Sequence, residues 1–515
     1  MRRENVRTYI FTILLPLFGF ALLTGCIVGI IVGFYNWTGK FFLDYSKKLY
    51  ALCRRKMKYF PIPLFGSIAL GFMIGGYIYK FPEIRGSGIP YIEAVAQGKL
   101  KVTWYLAIPL MFITSMLSLV SGMSFGKEGP SIFIGGCIGY GIASMIPFAR
   151  VYKNLLVAAG ASTGLAIAFS APAAGLLFSV EEIYRKFSSV ITMTSAMTVC
   201  IGVFLKELIF GKLPLEIGDC QYEFSALLFL LSFISGVFGG LCGAAFNVFL
   251  RFVSREYKKM TPPVPMWFYP VIPAIIGSIV ATALPDAGFD GVETLEKLFH
   301  GEITTWRIVV SFVIKFLFTS LCFGSSTTGG LFIPTLSTGA LFGGTLAKIY
   351  IAIGLPKKYE NYVIMVTISA FFTGCVRAPL TATIIIPEFS MKFTGFIGSL
   401  TASAFAYVAA ELTRVPPFYE ELVDNLMENY DEEHPQPPSI DLNEFVFIVD
   451  SNSRIRGLDL NELTLPRGTA FSRIVRNRVP MVPTDDLVLR SRDEVWFVAE
   501  EASTFHAEDE LKSIF

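Results

Sequence analysis

Charged side chains are scarce in this sequence, and metal-binding side chains are scarcer still. Only 16% of the 515 residues are charged and three are histidine, of which only His300 precedes the C-terminal tail. The eight cysteines form no C-x-x-C pair, so buried free thiols are expected rather than disulfides or a metal site. These absences exclude histidine metal chemistry in the apolar part of the chain. We therefore expect no metal ion. We also expect no cofactor and no nucleic-acid partner.

Apolar residues dominate what remains. They make up 53% of the chain, and the mean hydropathy of +0.57 is typical of a membrane protein. No charge occurs between Arg7 and Lys40, a stretch longer than the roughly 20 residues that a bilayer requires. Many later apolar runs are shorter than a full span or interrupted by glycine, which is typical of broken and re-entrant helices. Basic clusters flank the first span on both sides, so they predict no orientation.

The chain is expected to contain two domains. The apolar runs occupy residues 1–430, which we predict to be an all-α membrane domain. Residues 431–441 are acidic and proline-rich and predict a linker. Residues 442–515 contain short β-like runs such as FVFIVD and EVWFVAE, and they predict a small α+β module.

Three glycine- and proline-rich breaks interrupt the apolar runs. They are GSGIP at 86–90, GKEGP at 126–130 and GGLFIP at 329–334. Inside a membrane, backbone groups freed by such breaks must be buried in protein or face a wet cavity. Each break precedes an apolar run, so each predicts a helix N-terminus, where unpaired N–H groups attract anions. Together they predict a pathway for a small anion at one interior point.

The membrane part also contains an internal repeat. Ala171-Pro172 is followed by Glu181 nine positions after the proline, and Ala378-Pro379 is followed by Glu388 at the same distance. Upstream of each pair, a Phe-Gly step leads into a glycine-rich break: FGKEGPSIFIGG in the first half and FGSSTTGGLFIP in the second. This order predicts two related halves with a site at their interface.

Glu128, in GKEGP, is the first candidate functional residue. It lies where a helix should begin, just before Pro130. It could simply stabilise the helix dipole. Alternatively, its carboxylate could occupy an anion site and leave that site to the ion when protonated, which would make it a proton-dependent gate.

The other breaks and the glutamate pair offer further candidates. Ser87 could donate its hydroxyl to an anion or only shape a turn. Leu331 and Phe332 would present backbone N–H groups at a helix start, although simple packing is the alternative for the Phe332 ring. Glu181 and Glu182 follow an apolar stretch and should face different sides of a helix. They could serve an intramembrane function or lie at the water interface with the basic residues that follow.

Taken together, the three breaks, APAAGLLFSVEE and RAPLTATIIIPE resemble the CLC family of chloride channels and transporters over residues 8–430. The resemblance implies an inverted-repeat membrane fold in a homodimer, with one anion pathway per subunit. It implies that Ser87, the N–H groups near Leu331 and Phe332, and a tyrosine hydroxyl, best matched by Tyr419, coordinate chloride. It also implies that Glu128 is the gating glutamate.

The family contains proton-coupled antiporters and passive channels. Antiporters usually have a glutamate at the position of Glu182, and serine at position 87 accompanies chloride preference rather than nitrate preference. The resemblance therefore favours a chloride/proton antiporter, with a passive voltage- or ligand-gated chloride channel as the alternative. A membrane enzyme is a third reading, but the sequence has no HExxH motif and no catalytic triad around its serine-rich GSSTTG segment.

The tail from Gly457 resembles the TrkA-C (RCK C-terminal) domain of bacterial potassium-transport regulators. Such domains dimerise, and some bind nucleotide-type ligands, including cyclic dinucleotides. Arg473, Arg476 and Arg478 could form a cationic patch for phosphates, with a solvated strand face as the alternative. The resemblance implies a bacterial inner-membrane protein with both termini in the cytoplasm.

Overall fold

A computed structural model describes most of the chain. Its described residues are 15–185, 187–211, 225–261, 263–389 and 395–433, and in the C-terminal part 442–449, 455, 457–463, 465–466, 469–476, 479–481, 484, 487–491 and 493–500. The chain divides into two compact units, Met1–Met427 and Glu428–Phe515.

The first unit is helical throughout its described part, as the composition predicted. Seven helical segments there are long and apolar enough to cross a membrane. The α-helices, numbered in chain order, are α1 Leu15–Arg55, α2 Pro61–Lys80, α3 Ile89–Ala96, α4 Trp104–Val120, α5 Glu128–Met145, α6 Lys153–Phe169, α7 Pro172–Phe178, α8 Ser189–Phe210, α9 Ala226–Lys259, α10 Val271–Ala283, α11 Val292–Phe299, α12 Thr305–Gly324, α13 Phe332–Ala352, α14 Glu360–Val376, α15 Pro379–Phe389, α16 Phe396–Leu412 and α17 Phe418–Glu433.

Helices from the two halves of this unit match each other, which confirms the predicted repeat. Helices α6 and α14 are both 17 residues long. Each ends at a residue with positive φ, Ser170 in the first half and Arg377 in the second. An Ala-Pro step then starts the short helices α7 and α15. The same local chemistry therefore folds the same way twice.

Close backbone contacts hold the interior helices together. Helix α5 packs against α6 where Gly135 faces Gly160, and a Cβ on either glycine would overlap the carbonyl of the other. Small residues permit such close approach between membrane helices. Most of α5 is buried, including Glu128 at its N-terminus.

The second unit contains a four-stranded sheet. Its strands are β1 Leu442–Ile448, β2 Thr469–Arg476, β3 Val479–Met481 and β4 Glu494–Glu500, in the order β1-β4-β2-β3. All three pairings are antiparallel. Val495 and Phe497 of β4 are buried in a small core with Ile474 and Leu489. Together with the short 3-10 turn Leu460–Glu462, this sheet confirms a small α+β domain.

The structure describes only part of the predicted linker, residues 431–441. Helix α17 continues to Glu433, three residues into the segment for which the sequence predicts a linker. Residues 434–441 lie outside the described residues.

Candidate functional site

The three glycine-rich breaks meet at one place in the interior of the first unit. Gly126 and Gly330 exchange two backbone hydrogen bonds: the Gly126 N–H donates to the Gly330 carbonyl at 2.7 Å, and the Gly330 N–H donates to the Gly126 carbonyl at 2.8 Å. Gly86 joins them because it accepts from the Gly329 N–H at 3.0 Å and donates to the Ser326 carbonyl at 3.1 Å. Residues far apart in sequence therefore form one backbone network.

A helix starts within each break. Helices α3, α5 and α13 begin at Ile89, Glu128 and Phe332, and each has a proline in its first turn. The first N–H groups of a helix have no intrahelical acceptor and carry partial positive charge. Three helix N-termini joined at one point therefore form a site suited to an anion.

Glycine is required where these helix starts touch. A Cβ on Gly129 would lie 2.9 Å from the Ser87 Cβ and 3.0 Å from the Gly330 Cα. Real Cβ atoms essentially never lie within 3.0 Å of such a neighbour, so a side chain at Gly129 would force Ser87 to shift. The contact also places Ser87 beside the start of α5. The Ser87 hydroxyl accepts a hydrogen bond from the Ile89 N–H at 3.3 Å.

The carboxylate of Glu128 is buried at this meeting point. The residue is only 1% exposed, and its Oε2 has no hydrogen-bond partner among the described residues. The carboxylate folds back against Gly126, where a Cβ would overlap it. It also interacts with the backbone N–H of Ile333, in the first turn of α13. A negative side chain therefore lies at the N-termini of α5 and α13, where an anion would bind.

The Phe332 side chain serves packing. Its ring centroid lies 4.4 Å from that of Phe372, 5.3 Å from that of Phe169 and 5.7 Å from that of Phe178. This aromatic cluster anchors the start of α13. The backbone N–H groups of Leu331 and Phe332 remain at the helix start, where they can act as donors.

Tyr419, on α17, is also buried, at 1% exposure. Its ring contacts that of Phe418 with 5.0 Å between centroids, and Phe418 in turn packs on Phe323 at 5.1 Å. The Tyr419 hydroxyl is close enough to the carboxylates of Glu128 and Glu182 to interact with them electrostatically. The structure thus places this tyrosine near both glutamates singled out from the sequence.

The adjacent residues Glu181 and Glu182 have different surroundings. Glu181 accepts hydrogen bonds from the N–H groups of Leu380 and Thr381 at 2.9 and 2.7 Å, so it caps helix α15. The Glu182 side chain is buried and lies 3.4 Å from the guanidinium of Arg185. Lys186 lies outside the described residues. Because Glu181 serves as a helix cap, Glu182 is the candidate of the two for a function in the interior.

Three charged residues at or near this site were missed from the sequence, and Arg185 was considered only as a basic neighbour of Glu181 and Glu182 at the water interface. Glu93 and Glu420 contact Arg185, and Lys315 is fully buried on α12. The Lys315 ammonium donates to the carbonyls of Gly288 and Phe289, both at 3.3 Å. A charged residue within an apolar stretch was the available signal for Glu93 and Lys315. For Arg185 and Glu420 the sequence gave no such signal.

The sequence model for the family described as Voltage gated chloride channel matches residues 70–411. The chain belongs to this family. H(+)/Cl(-) exchange transporters named ClcA are among its family relatives: that of Vibrio vulnificus strain YJ016 is 30% identical over 387 residues, covering 70% of this chain and 79% of the relative. The ClcA of Vibrio cholerae strain M66-2 is 30% identical over 374 residues, covering 68% and 77%.

Solved structures of the family share the fold. A slow cyanobacterial Cl-/H+ antiporter aligns with a TM-score of 0.75 at 23% identity, over 81% of this chain and 99% of that one. A eukaryotic CLC transporter aligns with a TM-score of 0.67 at 21% identity, over 81% of this chain and 75% of that one. At these identities the likeness shows the fold alone. It confirms the CLC-like architecture, and the protein is a multi-pass membrane transporter.

The TrkA-C domain model matches residues 445–511, which confirms the resemblance of the tail. The arginines considered for a phosphate site have different surroundings. The Arg473 guanidinium lies over the Trp496 ring, 4.3 Å from its centroid. Arg476 donates two hydrogen bonds to Asp493, at 2.9 and 2.7 Å, and a third to the Val488 carbonyl at 2.6 Å. Arg478 lies outside the described residues.

Proposed function

We propose that this protein is a chloride/proton antiporter in which Glu128 is the gate. The observation that carries the proposal is the buried Glu128 carboxylate at the joined N-termini of α5 and α13. A carboxylate and a chloride ion compete for the same N–H donors. Protonation removes the charge of Glu128 and weakens its hold on those donors, which lets chloride take its place. Chloride binding and proton binding are coupled in this way.

Ser87, the N–H groups of Leu331 and Phe332, and the hydroxyl of Tyr419 are proposed to bind the central chloride. Ser87 and Gly330, which precedes the start of α13, both lie against Gly129. Tyr419 is close enough to Glu128 to interact with it electrostatically. These groups are all donors without formal charge. Such donors favour a bound anion while leaving it free enough to move on.

Glu182 is proposed as the second proton-binding residue. It is buried, it is within electrostatic range of Tyr419, and Arg185 is beside it. A second buried carboxylate provides a proton-binding site that is separate from the chloride path. The relatives named as H(+)/Cl(-) exchange transporters support this assignment over the passive channel.

The same proposal places the protein in a bacterial inner membrane, as a homodimer with both termini in the cytoplasm. The bacterial relatives and the TrkA-C tail support this placement. The tail is proposed to regulate transport by binding a nucleotide or cyclic dinucleotide. Arg473 and Arg476, the two candidate arginines that the structure describes, are the first residues to examine for contact with a phosphate. Calorimetry of the full-length protein against ATP, AMP and cyclic dinucleotides tests this, and no binding of any of them would reject it.

The transport proposal is tested by reconstituting the protein in vesicles under a chloride gradient. An antiporter moves protons uphill while chloride runs down its gradient. A passive chloride channel moves chloride without any uphill proton movement, so that result would overturn the proposal.

A further inference from the structure

One arginine side chain, that of Arg185, joins three carboxylates. Its Nε lies 3.2 Å from Oε1 of Glu93, its Nη2 lies 3.4 Å from Oε1 of Glu182, and its Nη1 lies 3.4 Å from Oε1 of Glu420. Each carboxylate thus uses a different nitrogen of the same guanidinium. Glu93 lies on α3, Glu182 follows α7, and Glu420 lies on α17. We call these four residues the Arg185 cluster.

Two departures from regular backbone bring Arg185 to this position. Residues Ser179–Ile183 form a π-helical turn, and Arg185 itself has a positive φ of 51°. Such turns occur often at functional sites, and a left-handed conformation is costly for a residue with a Cβ. Together they end the helix and turn the side chain of Arg185 back onto Glu182, three residues earlier. The three ion pairs therefore offset a local backbone cost.

The members of the cluster differ strongly in exposure. The Glu93 side chain is 1% exposed and that of Glu182 is 4% exposed, whereas that of Glu420 is 44% exposed. Oε2 of Glu93 is buried and has no hydrogen-bond partner among the described residues. When all three carboxylates are ionised, one guanidinium cannot balance them, and a buried site tolerates excess charge poorly. Binding a proton relieves that repulsion.

Other titratable groups act on the cluster from neighbouring elements. Glu181 adds negative charge beside Glu182, and Lys99 adds positive charge near Glu93. The Tyr419 hydroxyl lies within electrostatic range of both Glu93 and Glu182. Glu420 follows Tyr419 directly in the sequence, so the exposed carboxylate is next to the tyrosine that we assign to the chloride site.

From this geometry we propose that Glu420 is the carboxylate at which protons enter and leave the Arg185 cluster, with Arg185 as the positioning residue. A proton from water binds the Glu420 carboxylate, neutralises it and weakens its contact with Nη1 of Arg185. The proton then passes to Glu182, and Glu420 returns to its ionised form. The inference rests on the proposed role of Glu182, because that residue receives the proton.

The test compares full-length variants in vesicles, with proton and chloride fluxes measured together across a range of pH. Glu420→Gln keeps the size of the side chain but cannot bind a proton. We expect a several-fold lower proton flux per chloride and a shifted pH profile. Glu420→Asp keeps a carboxylate and should restore both. The matched control is Glu421→Gln, which changes the next residue of the same helix, a partner of Arg251 at 2.9 Å.

The outcomes separate this inference from the proposed function. A wild-type flux ratio and pH profile in Glu420→Gln would overturn it, and so would an equal loss of both fluxes, which indicates a structural role only. Glu182→Gln is measured beside these variants. If Glu182→Gln uncouples protons while Glu420→Gln behaves as wild type, only the role of Glu420 fails. If Glu182→Gln keeps wild-type coupling, Glu182 is not the second proton-binding residue. The proposed role of Glu420 is then rejected as well, because Glu420 would have no residue to which it could pass a proton.

Discussion

Glu181 and Glu388 each cap the short helix of the opposite half of the membrane unit: Glu181 caps α15, and Glu388 caps α7. Glu181, from the first half, accepts from the N–H groups of Leu380 and Thr381 at the start of α15. Glu388, from the second half, accepts from the N–H groups at the start of α7, those of Ala173 at 2.8 Å and Ala174 at 2.7 Å. Such an exchange is what a pseudo-two-fold relation between two repeats produces. It ties the halves together beside the proposed ion pathway.

Removing one of these caps should destabilise the membrane unit. Glu388→Ala leaves two N–H groups of α7 without an acceptor, and a lost helix cap typically costs about 1 kcal/mol. We expect a lower unfolding temperature of the purified protein in detergent. The control is Glu256→Ala, which breaks an exposed ion pair with Lys259 and should have a much smaller effect. Equal unfolding temperatures for the two variants would argue against a stabilising cap.

Glu128→Gln should abolish proton movement while chloride still passes. The amide copies the size of a protonated carboxyl group but cannot release a proton, so the gate is fixed in its neutral form. Vesicles with a chloride gradient and a pH-sensitive dye report both fluxes. The exposed residue Glu302 provides a control, since Glu302→Gln should leave both fluxes unchanged. Proton pumping at the wild-type rate in Glu128→Gln would place the gate elsewhere.

Glu182→Gln should also stop proton transport, while chloride flux survives in uncoupled form. The reason is that a buried side chain beside Arg185 loses its ability to bind and release a proton. Glu181→Gln is a close control, because the amide oxygen can still accept from one of the two N–H groups of α15 and Glu181 has no proposed role in proton transfer. We expect Glu181→Gln to retain coupling. Unchanged coupling in Glu182→Gln would instead mean that Glu182 is not the second proton-binding residue.

Ser87→Pro should shift anion preference from chloride toward nitrate. The substitution removes a hydroxyl donor from the start of α3, where Ser87 lies against Gly129. Fluxes of the two anions, measured in the same vesicles, give the ratio. A ratio equal to that of the wild type would mean that Ser87 only shapes the turn.

The convergence of the three breaks could be predicted from the sequence because glycine and proline act locally. GSGIP, GKEGP and GGLFIP each specify a helix start at a point where the chain cannot remain buried without a polar partner. The backbone bonds between Gly126 and Gly330 confirm that these starts meet. The repeat was readable for the same reason, since each Ala-Pro step starts a short helix in its own half.

The Arg185 cluster could not be predicted, because it depends on tertiary contacts. Arg185 reaches Glu93 and Glu420 only after a π-helical turn and a positive φ, and neither follows from the composition of the segment. The contacts of the Lys315 side chain could not be predicted for a similar reason. Its acceptors, the carbonyls of Gly288 and Phe289, come from a loop that the sequence does not link to α12.

The ion pair between Arg476 and Asp493 should make the stability of the second unit depend on pH. Burial alone would raise the pKa of Asp493, but hydrogen bonds from the Arg476 side chain and the Arg490 N–H outweigh burial and hold the pKa below its ordinary value. A lowered pKa in the folded state means that ionised Asp493 stabilises the fold above the ordinary aspartate pKa of about 3.9. This contribution is lost as the pH falls through the pKa of the folded state.

Asp493→Asn removes that charge at every pH. We expect the variant to unfold at lower urea concentration than the wild type at pH 7, and the difference to shrink as the pH falls below about 4. Urea titrations of the full-length protein, followed by pulsed hydrogen exchange in β4, measure the second unit separately from the membrane unit. Val495 and Phe497 of β4 lie in its core, so their amides report its global unfolding. If the two proteins differ by the same amount at every pH, the stabilisation does not come from the charge of Asp493.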